Sequence, residues 1–600
     1  MKRIAVWAVV WMAGCSDGTV GPTSDGALPS NDAGPHDAAP AVDGGLDGAA
    51  SPDAFAIDAP IVTDGGFDAA TCAPATPSYT CTSDPSSCPG GTCITSWCLG
   101  PDRDPHRWDA CGDGTCAPCE REAGCGIDCG GPMRTGMPTY DPSTTITLQL
   151  HGLSVGTTST TDGLTYGDVL PDRTLETALR LFAPSLPAGL ASPTAPNQLV
   201  AIEYYGTHAA SWLSAAEIAE IEAHDAHGPS ALERYALIVA IFLEHRLTDA
   251  HATGVNIVCH SMGCHITRYL VEHDLRQLAS SGRIARVLTI AGALNGAGLA
   301  ELFDNPMLQS YAAVAPIQTS DFTHLDPNYV EDESAIWDHH LSEANNPMWA
   351  GVEIHSATGT NPVAAFSVVR PLDVTNPDDE PNDTVLYARD TFFTAQDAAA
   401  RFVTSAGEHV LPSHTWNDAT HTSMESTLGA VASAAAAMLS HRRVTITLHD
   451  VTLHHDHEMP HGAIGTVFGT APADLASNVS VTYAPFLETT FGAAVAGAIV
   501  SEQSVDARSA PFFQMNQDQT FDPAIVLFDA PVFDGQTQLH LTYELREVDH
   551  YPRFGINELP SGEGSVLGTI DADVDLTDHT ITIDTVDVLA SVDVHVTAMW

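Results

Sequence analysis

Between about residue 143 and residue 443, stretches with strand character alternate with stretches of helical periodicity, and this alternation constrains the fold more than anything else in the chain. Thr145 to Leu150 is a β-branched run, and Arg173 to Phe182 spaces Leu175, Leu179 and Phe182 as a helix does. Gln198 to Tyr204 reads as a second strand, and Ser230 with Glu233 makes a capping box opening a helix to about Leu247. Gly254 to Cys259 is the next strand, which turns at Ser261 into a helix through Tyr269 and Leu270. Arg286 to Ala291 follows as a strand. Strands joined by helices lie parallel, and a parallel sheet is covered on both faces, so the expected class is α/β.

The turn at Ser261 carries the sharpest chemistry. Val255-Asn256-Ile257-Val258-Cys259-His260-Ser261-Met262-Gly263 puts a serine at a strand-to-helix junction, where a tight turn exposes its hydroxyl above a helix N-terminus. This string resembles the nucleophile elbow of the α/β-hydrolase superfamily, lipases and esterases in particular, with Cys259 standing where that family usually has Gly. The resemblance covers about 145 to 440. It implies a mostly parallel sheet covered by helices, a nucleophile Ser261, and an oxyanion hole made by the backbone N–H of Met262. His151-Gly152-Leu153 resembles the lipase HG segment, which makes Leu153 the second donor. Thr289 to Gly296 resembles the strand and loop after the elbow helix.

The family order is Ser, acid, His. Asn382-Asp383-Thr384-Val385 resembles the segment that carries the acid, with Thr384 replacing Gly, and it follows the apolar run Val363 to Val369. Asp383 is therefore the favoured acid, and Asp378, Asp379 and Asp390 compete with it. His421 stands just ahead of an Ala-rich helix from about Glu425 to Leu439, the family position of the base, with His414 and then His409 as rivals. The insertion 296–360, with Tyr311, Phe322, Tyr329, Trp337 and Trp349, is the candidate lid. Cys259 and Cys264 are either a disulfide across the elbow or two small buried thiols.

The flanks differ in texture. Residues 1–15 read as a signal peptide in which Met12-Ala13-Gly14-Cys15 resembles a bacterial lipobox, with Met12 in place of the usual Leu. Residues 16–70 hold ten Asp and no Lys or Arg, an acidic tether. Residues 71–132 hold ten Cys in a Gly- and Pro-rich stretch, an N-terminal disulfide-rich module, with zinc at Cys116 and Cys119 as the alternative. Cys111 to Cys129 resembles the short CGDG-type modules of secreted bacterial proteins. After 443 the pattern becomes strictly alternating from Val444 to Val451, and short strand-like runs recur to 598, which suggests a C-terminal all-β sandwich over 444–600. His454, His455, Asp456, His457, Glu458 and His461 offer either exposed loop side chains or ligands for a structural calcium or zinc. The hydrolase region, from about Pro138 to Arg443, is expected to fold without its neighbours.

Lys plus Arg number 22 against 76 Asp plus Glu, for a net charge of −54, which repels phosphate backbones and excludes nucleic acid as a partner. The expectation is an exported, lipid-anchored serine hydrolase of the cell envelope that cleaves carboxylic or lipid esters and needs no cofactor. Alternatives are an acyltransferase or amidase with the same triad, or a surface binding protein with a degenerate hydrolase domain, which Cys259 and Thr384 keep open.

Overall fold

The structure is a computed structural model that describes residues 92–94, 97–99, 134–135, 144–153, 174–182, 199–202, 204, 212–224, 232–279, 281–297, 325, 349, 352–361, 381–391, 402–403, 412–455, 473–483, 499–504, 512–548 and 565–597. Near the N-terminus, β1 (Thr92–Ile94) and β2 (Trp97–Leu99) pair antiparallel with Cys93 opposite Cys98, and β3 (Arg134–Thr135) pairs with β9 (Phe402–Val403). Residues 1–70, expected to hold a signal peptide and an acidic tether, and the other clustered cysteines lie outside the described residues.

The main sheet is built around β4 (Thr145–Leu150), where side chains alternate between faces: Ile146, Leu148 and Leu150 on one, Thr147 and Gln149 on the other. Six strands lie parallel in the order β5 (Leu199–Ala201), β4, β6 (Gly254–Ser261), β7 (Ile284–Gly292), β8 (Glu353–Gly359) and β10 (Ser413–Asn417). Helices α2 (Ala215–His224), α3 (Leu232–Asp249) and α4 (Met262–Glu272) pack with Val255, Ile257, Val287 and Ile354 in one core. Helices α1 (Thr174–Phe182) and α5 (Leu428–Ala437) pack with Val258, Leu288, Ile290 and Ala357 in the other.

Local sequence explains the helices. Along α3 Leu232 to Leu243 is buried continuously, so helix-forming residues fill every face rather than one stripe, and Glu233 and Arg246 oppose the dipole at its two ends. Ser230 lies outside the described residues. A reciprocal cap appears instead on α2, where Ser214 N–H donates to Glu217 Oε2 at 2.7 Å and Glu217 N–H donates to Ser214 Oγ at 3.3 Å.

The sheet does not stop at β10. Strand β16 (Ile525–Phe533) pairs antiparallel with β10 at His414 and Asp529, then with β11 (His441–Leu453), which also pairs with β15 (Thr520–Phe521). Strands β20 (Val588–Val596) and β19 (His579–Asp584) complete one sheet of eleven strands. A second antiparallel sheet holds β12 (Ala473–Tyr483), β13 (Ile499–Gln503), β14 (Phe512–Met515), β17 (Gln538–Glu547) and β18 (Val566–Asp575). Val444, Ile446 and Leu448 from the first sheet share a core with Val479, Val481, Leu541 and Leu545 from the second, and with α1 and α5.

The expected boundary near 443 is not an edge of this sheet: the strands after 443 extend the sheet of β4 to β10 and cover one of its helices. A Cβ at Gly429 in α5 would collide with the Ile499 carbonyl of β13, so the later strand lies directly on that helix. Charges tie β7, β8 and the start of β11 to one another, and one ion pair, Arg443 with Asp529, reaches the strands after 443. Arg286 of β7 donates its Nε–H to Glu353 Oε2 of β8 at 2.8 Å, and His441 Nε2 of β11 lies 2.6 Å from Glu353 Oε1. Burial works against the Glu353 charge, yet His441 and Arg286 hold its carboxyl down at about 2. Arg443 pairs with Asp529 at 2.5 Å and donates to the Pro412 carbonyl at 3.2 Å.

Candidate active site

Strand β6 ends at Ser261 and α4 begins at Met262, with no linker between them. Ser261 takes φ 52° and ψ −127°, a region that residues with a Cβ rarely occupy. That conformation is the sharp elbow read from the motif.

His421 Nε2 lies 2.9 Å from Ser261 Oγ, and His421 Nδ1 lies 2.7 Å from Asp383 Oδ2. All three residues are buried. Asp383 Oδ1 accepts the N–H groups of Val385 (3.0 Å) and Leu386 (2.8 Å), which fixes the carboxylate plane. Thr384, which stands where the resembled segment has Gly, takes φ 95°, and its N–H donates to Asn382 Oδ1 at 3.1 Å. His421 stands in the loop between β10 and a 3₁₀ turn, Met424–Ser426, that leads into α5.

The rival residues fall elsewhere. Asp390 is buried, accepts the Tyr387 N–H at 2.9 Å and gives its carbonyl to Asn295 N–H at 3.1 Å. His414 sits within β10 opposite Asp529, and burial pushes its imidazole down to about 4. Asp378, Asp379, His409 and the run 363–369 lie outside the described residues.

Leu153 follows the loop His151-Gly152, and this loop touches Ser261. A Cβ at Gly152 would lie 2.6 Å from Ser261 Cβ and 3.2 Å from its Oγ, so only glycine admits this approach. Tyr204 donates its hydroxyl to the His151 carbonyl at 2.9 Å and the Gly152 carbonyl at 3.0 Å, and stacks on the His151 ring at 4.4 Å. The loop's carbonyls are thus tied back beside Leu153. Met262 opens α4, where backbone N–H groups point out of the helix end.

Cys259 and Cys264 form a disulfide that spans the elbow from the end of β6 to the first turn of α4, with Cα atoms 5.0 Å apart. This settles the open choice between bridge and thiols. Cys259 faces the α3–α4 side of the sheet, where its bulk is absorbed by the bridge.

Two further side chains were not singled out by the sequence. His260 donates its Nε2–H to the His421 carbonyl at 3.1 Å, and its Nδ1 lies 2.5 Å from Glu425 Oε1. His260 stands inside the elbow motif, and Glu425 four residues after His421, so position alone was a usable signal. Burial opposes the charge on each, but their mutual attraction prevails: His260 is raised and Glu425 is lowered from its ordinary value.

Most of the candidate lid 296–360 lies outside the described residues, and its last part is corrected: Glu353–Gly359 is the buried strand β8, inside the sheet between β7 and β10. Arg268 of α4 donates to Glu272 (2.8 Å) and to Asn295 Oδ1 (2.5 Å), and buried Trp349 donates its Nε1–H to Glu272 at 3.0 Å. Of the His-rich run, His454 and His455 are described and 456–461 are not. Among the described residues no three His, Cys, Asp or Glu are grouped to hold a metal ion, and no helix is long and apolar enough to cross a membrane.

No protein-family model matches the chain, and no curated protein matches its sequence. Among solved structures, a Bacillus licheniformis lipase in mature form is 13% identical, covering 48% of this chain and 89% of that one, with a TM-score of 0.28. Phospholipase PlaB from Legionella pneumophila is 12% identical, covering 68% and 87%, also with a TM-score of 0.28. A lipase-esterase related protein from Clostridium acetobutylicum is 10% identical, covering 51% and 98%, with a TM-score of 0.24. Scores this low support no inference of their own. The α/β-hydrolase fold rests on the parallel strand order, the elbow and the order Ser, Asp, His along the chain.

Proposed function

We propose that this chain is a serine hydrolase of carboxylic esters, lipase- or esterase-like, that works through an acyl-enzyme. The observation that carries the reading is the hydrogen-bonded line Ser261–His421–Asp383, with 2.9 Å and 2.7 Å separations. His421 Nε2 takes the Ser261 proton as Oγ attacks the ester carbon. The carbonyl π electrons move to oxygen, and the backbone N–H groups of Leu153 and Met262 receive that oxyanion. The C–O bond to the leaving alcohol breaks as His421 returns the proton to it. Water, deprotonated by His421, then opens the acyl-enzyme, releasing the acid and restoring Ser261. Asp383 holds the imidazole tautomer and stabilises its cation.

The apolar leader with Cys15 supports export and a lipid anchor in the cell envelope, which would bring the site to lipid esters at a membrane surface. No metal or cofactor enters the proposed steps. The intact triad favours hydrolysis over a degenerate binding domain. A fluorophosphonate probe should label the protein, and Ser261→Ala should abolish both labelling and hydrolysis of p-nitrophenyl esters. A set of such esters of graded acyl length defines the substrate. Labelling that persists in Ser261→Ala, or an inert wild type, overturns the reading.

A further inference from the structure

Strand alternation turns His260 toward the α5 side of the sheet, the side from which the His421 loop and the following 3₁₀ turn approach. There His260 Nε2 donates to the His421 carbonyl at 3.1 Å, while its Nδ1 lies 2.5 Å from Glu425 Oε1. With Nε2 on a carbonyl and Nδ1 within ion-pair distance of a carboxylate, the surroundings favour the protonated ring. The pair is well enclosed, with side chains 9% and 22% exposed.

We infer that the His260–Glu425 ion pair positions the general base and balances the charge around it, making both positioning residues for the proposed reaction. The inference rests on Ser261, His421 and Asp383 being the working triad. Residue 421 is pegged on both sides of its backbone: His260 holds its carbonyl, and its N–H donates to the Asp383 carbonyl at 3.0 Å. The His260 and His421 rings are 5.0 Å apart, tilted 39°. At that range an uncompensated imidazolium would oppose the cation that His421 becomes in the transition state, and an uncompensated carboxylate would make the base retain its proton. Together the two are neutral. The other ionisable groups near the pair are Asp383, across His421, and His151 from the β4 loop, which faces Glu425. Gly152 closes that side, where a Cβ would lie 3.1 Å from His260 Nδ1.

The test uses the full chain and separates anchoring from charge. His260→Gln keeps an N–H for the His421 carbonyl but leaves Glu425 unbalanced. The acid limb of its kcat/KM profile should move up by about half to one pH unit, with KM little changed. His260→Gln/Glu425→Gln removes both charges and should return the limb to its wild-type position. His260→Leu loses the anchor as well, and kcat should fall by up to about a hundredfold. Thermal melts of each variant identify any that fail to fold. A limb that stays in place in His260→Gln, or that the double variant does not restore, overturns the inference. A wild type that neither turns over esters nor takes the fluorophosphonate sinks the triad reading instead. The pair is then judged by NMR titration of the His421 imidazole, assigned with a His421→Gln variant: the midpoint should rise in His260→Gln and return in the double variant, and an unmoved midpoint overturns it.

Discussion

Asp383 holds His421 twice, through its carboxylate on Nδ1 at 2.7 Å and through its main-chain carbonyl on the His421 N–H at 3.0 Å. The second contact does not depend on the side chain. Asp383→Asn should therefore keep the loop in place while presenting the wrong tautomer, and kcat should drop by about ten-thousandfold with KM nearly unchanged. Steady-state kinetics on a soluble ester decides it, and near-normal turnover would remove Asp383 from the triad.

The two histidines that compete in sequence part in structure. His421→Ala should lower kcat by roughly a thousandfold or more, because among the described residues it is His421 that lies within hydrogen-bond reach of Ser261 Oγ. His414→Ala should leave kcat within about threefold of wild type, since that ring lies within β10 beside Asp529. The same assay read on both variants gives the answer, and a reversed order would move the base.

Burial holds His355 down at about 3 and His414 at about 4, against 6.5 for the free ring. Below pH 6.5 the unfolded chain binds protons that the folded chain refuses, so stability should fall as the pH drops toward 4 and then 3. Glu353, held at about 2 against 4.5, adds a further loss from pH 4.5 downward, where its folded-state ion pairs protonate late. Melting temperatures recorded from pH 7 to pH 4 should decline, and His355→Gln/His414→Gln should flatten the decline between 6.5 and 4.5. An equal slope in the variant would assign the acid sensitivity to other groups.

Thr384 occupies φ 95° beside the acid, a backbone state that suits glycine. Thr384→Gly relieves strain of about 1 kcal/mol and costs a similar amount in unfolded-chain entropy. The melting temperature should stay level or rise, with kcat within about twofold of wild type, because the Asp383 turn is held by the N–H groups of Val385 and Leu386. A clear fall in melting temperature would show that the Thr384 side chain itself supports the turn.

A chain cut to residues 138–443 should be aggregated or unfolded. It would uncover α5, whose residues Gly429 to Ala437 are all buried, and leave the edge of β10 unpaired. Soluble yield and circular dichroism test this, and a folded, active fragment would show that the later strands are dispensable.

The elbow was legible because everything it needs is local: a β-branched strand, a small turn and a helix within a dozen residues of Ser261. The acid and base were legible by position along a resemblance, and the structure brings Asp383 and His421 together with Ser261. What escaped was non-local. The pairing of β10 with β16 rests on His414 meeting Asp529 across a long separation, and alternation in β11 reads the same whether its sheet stands alone or continues another. The Cys259–Cys264 bridge needed a distance that spacing does not supply. His260 and Glu425 were in plain view, but their roles depend on a loop folding back from residue 421 onto residue 260. Tyr204 was read only as the end of a strand, whereas its hydroxyl braces the loop before Leu153.

The seam between β10 and β16 also sets an order of events. Polypeptide emerges from its N-terminal end, so β6, α4 and Ser261 are made early, while β16 begins only at Ile525 and β13 only at Ile499. The loop bearing His421 hangs between β10 and α5, two elements that stay uncovered until those late strands arrive. Long-range pairing of this kind closes slowly and last. A partly made chain would then carry Ser261 with His421 not yet settled beside it, and the proposed activity would wait for the final strands.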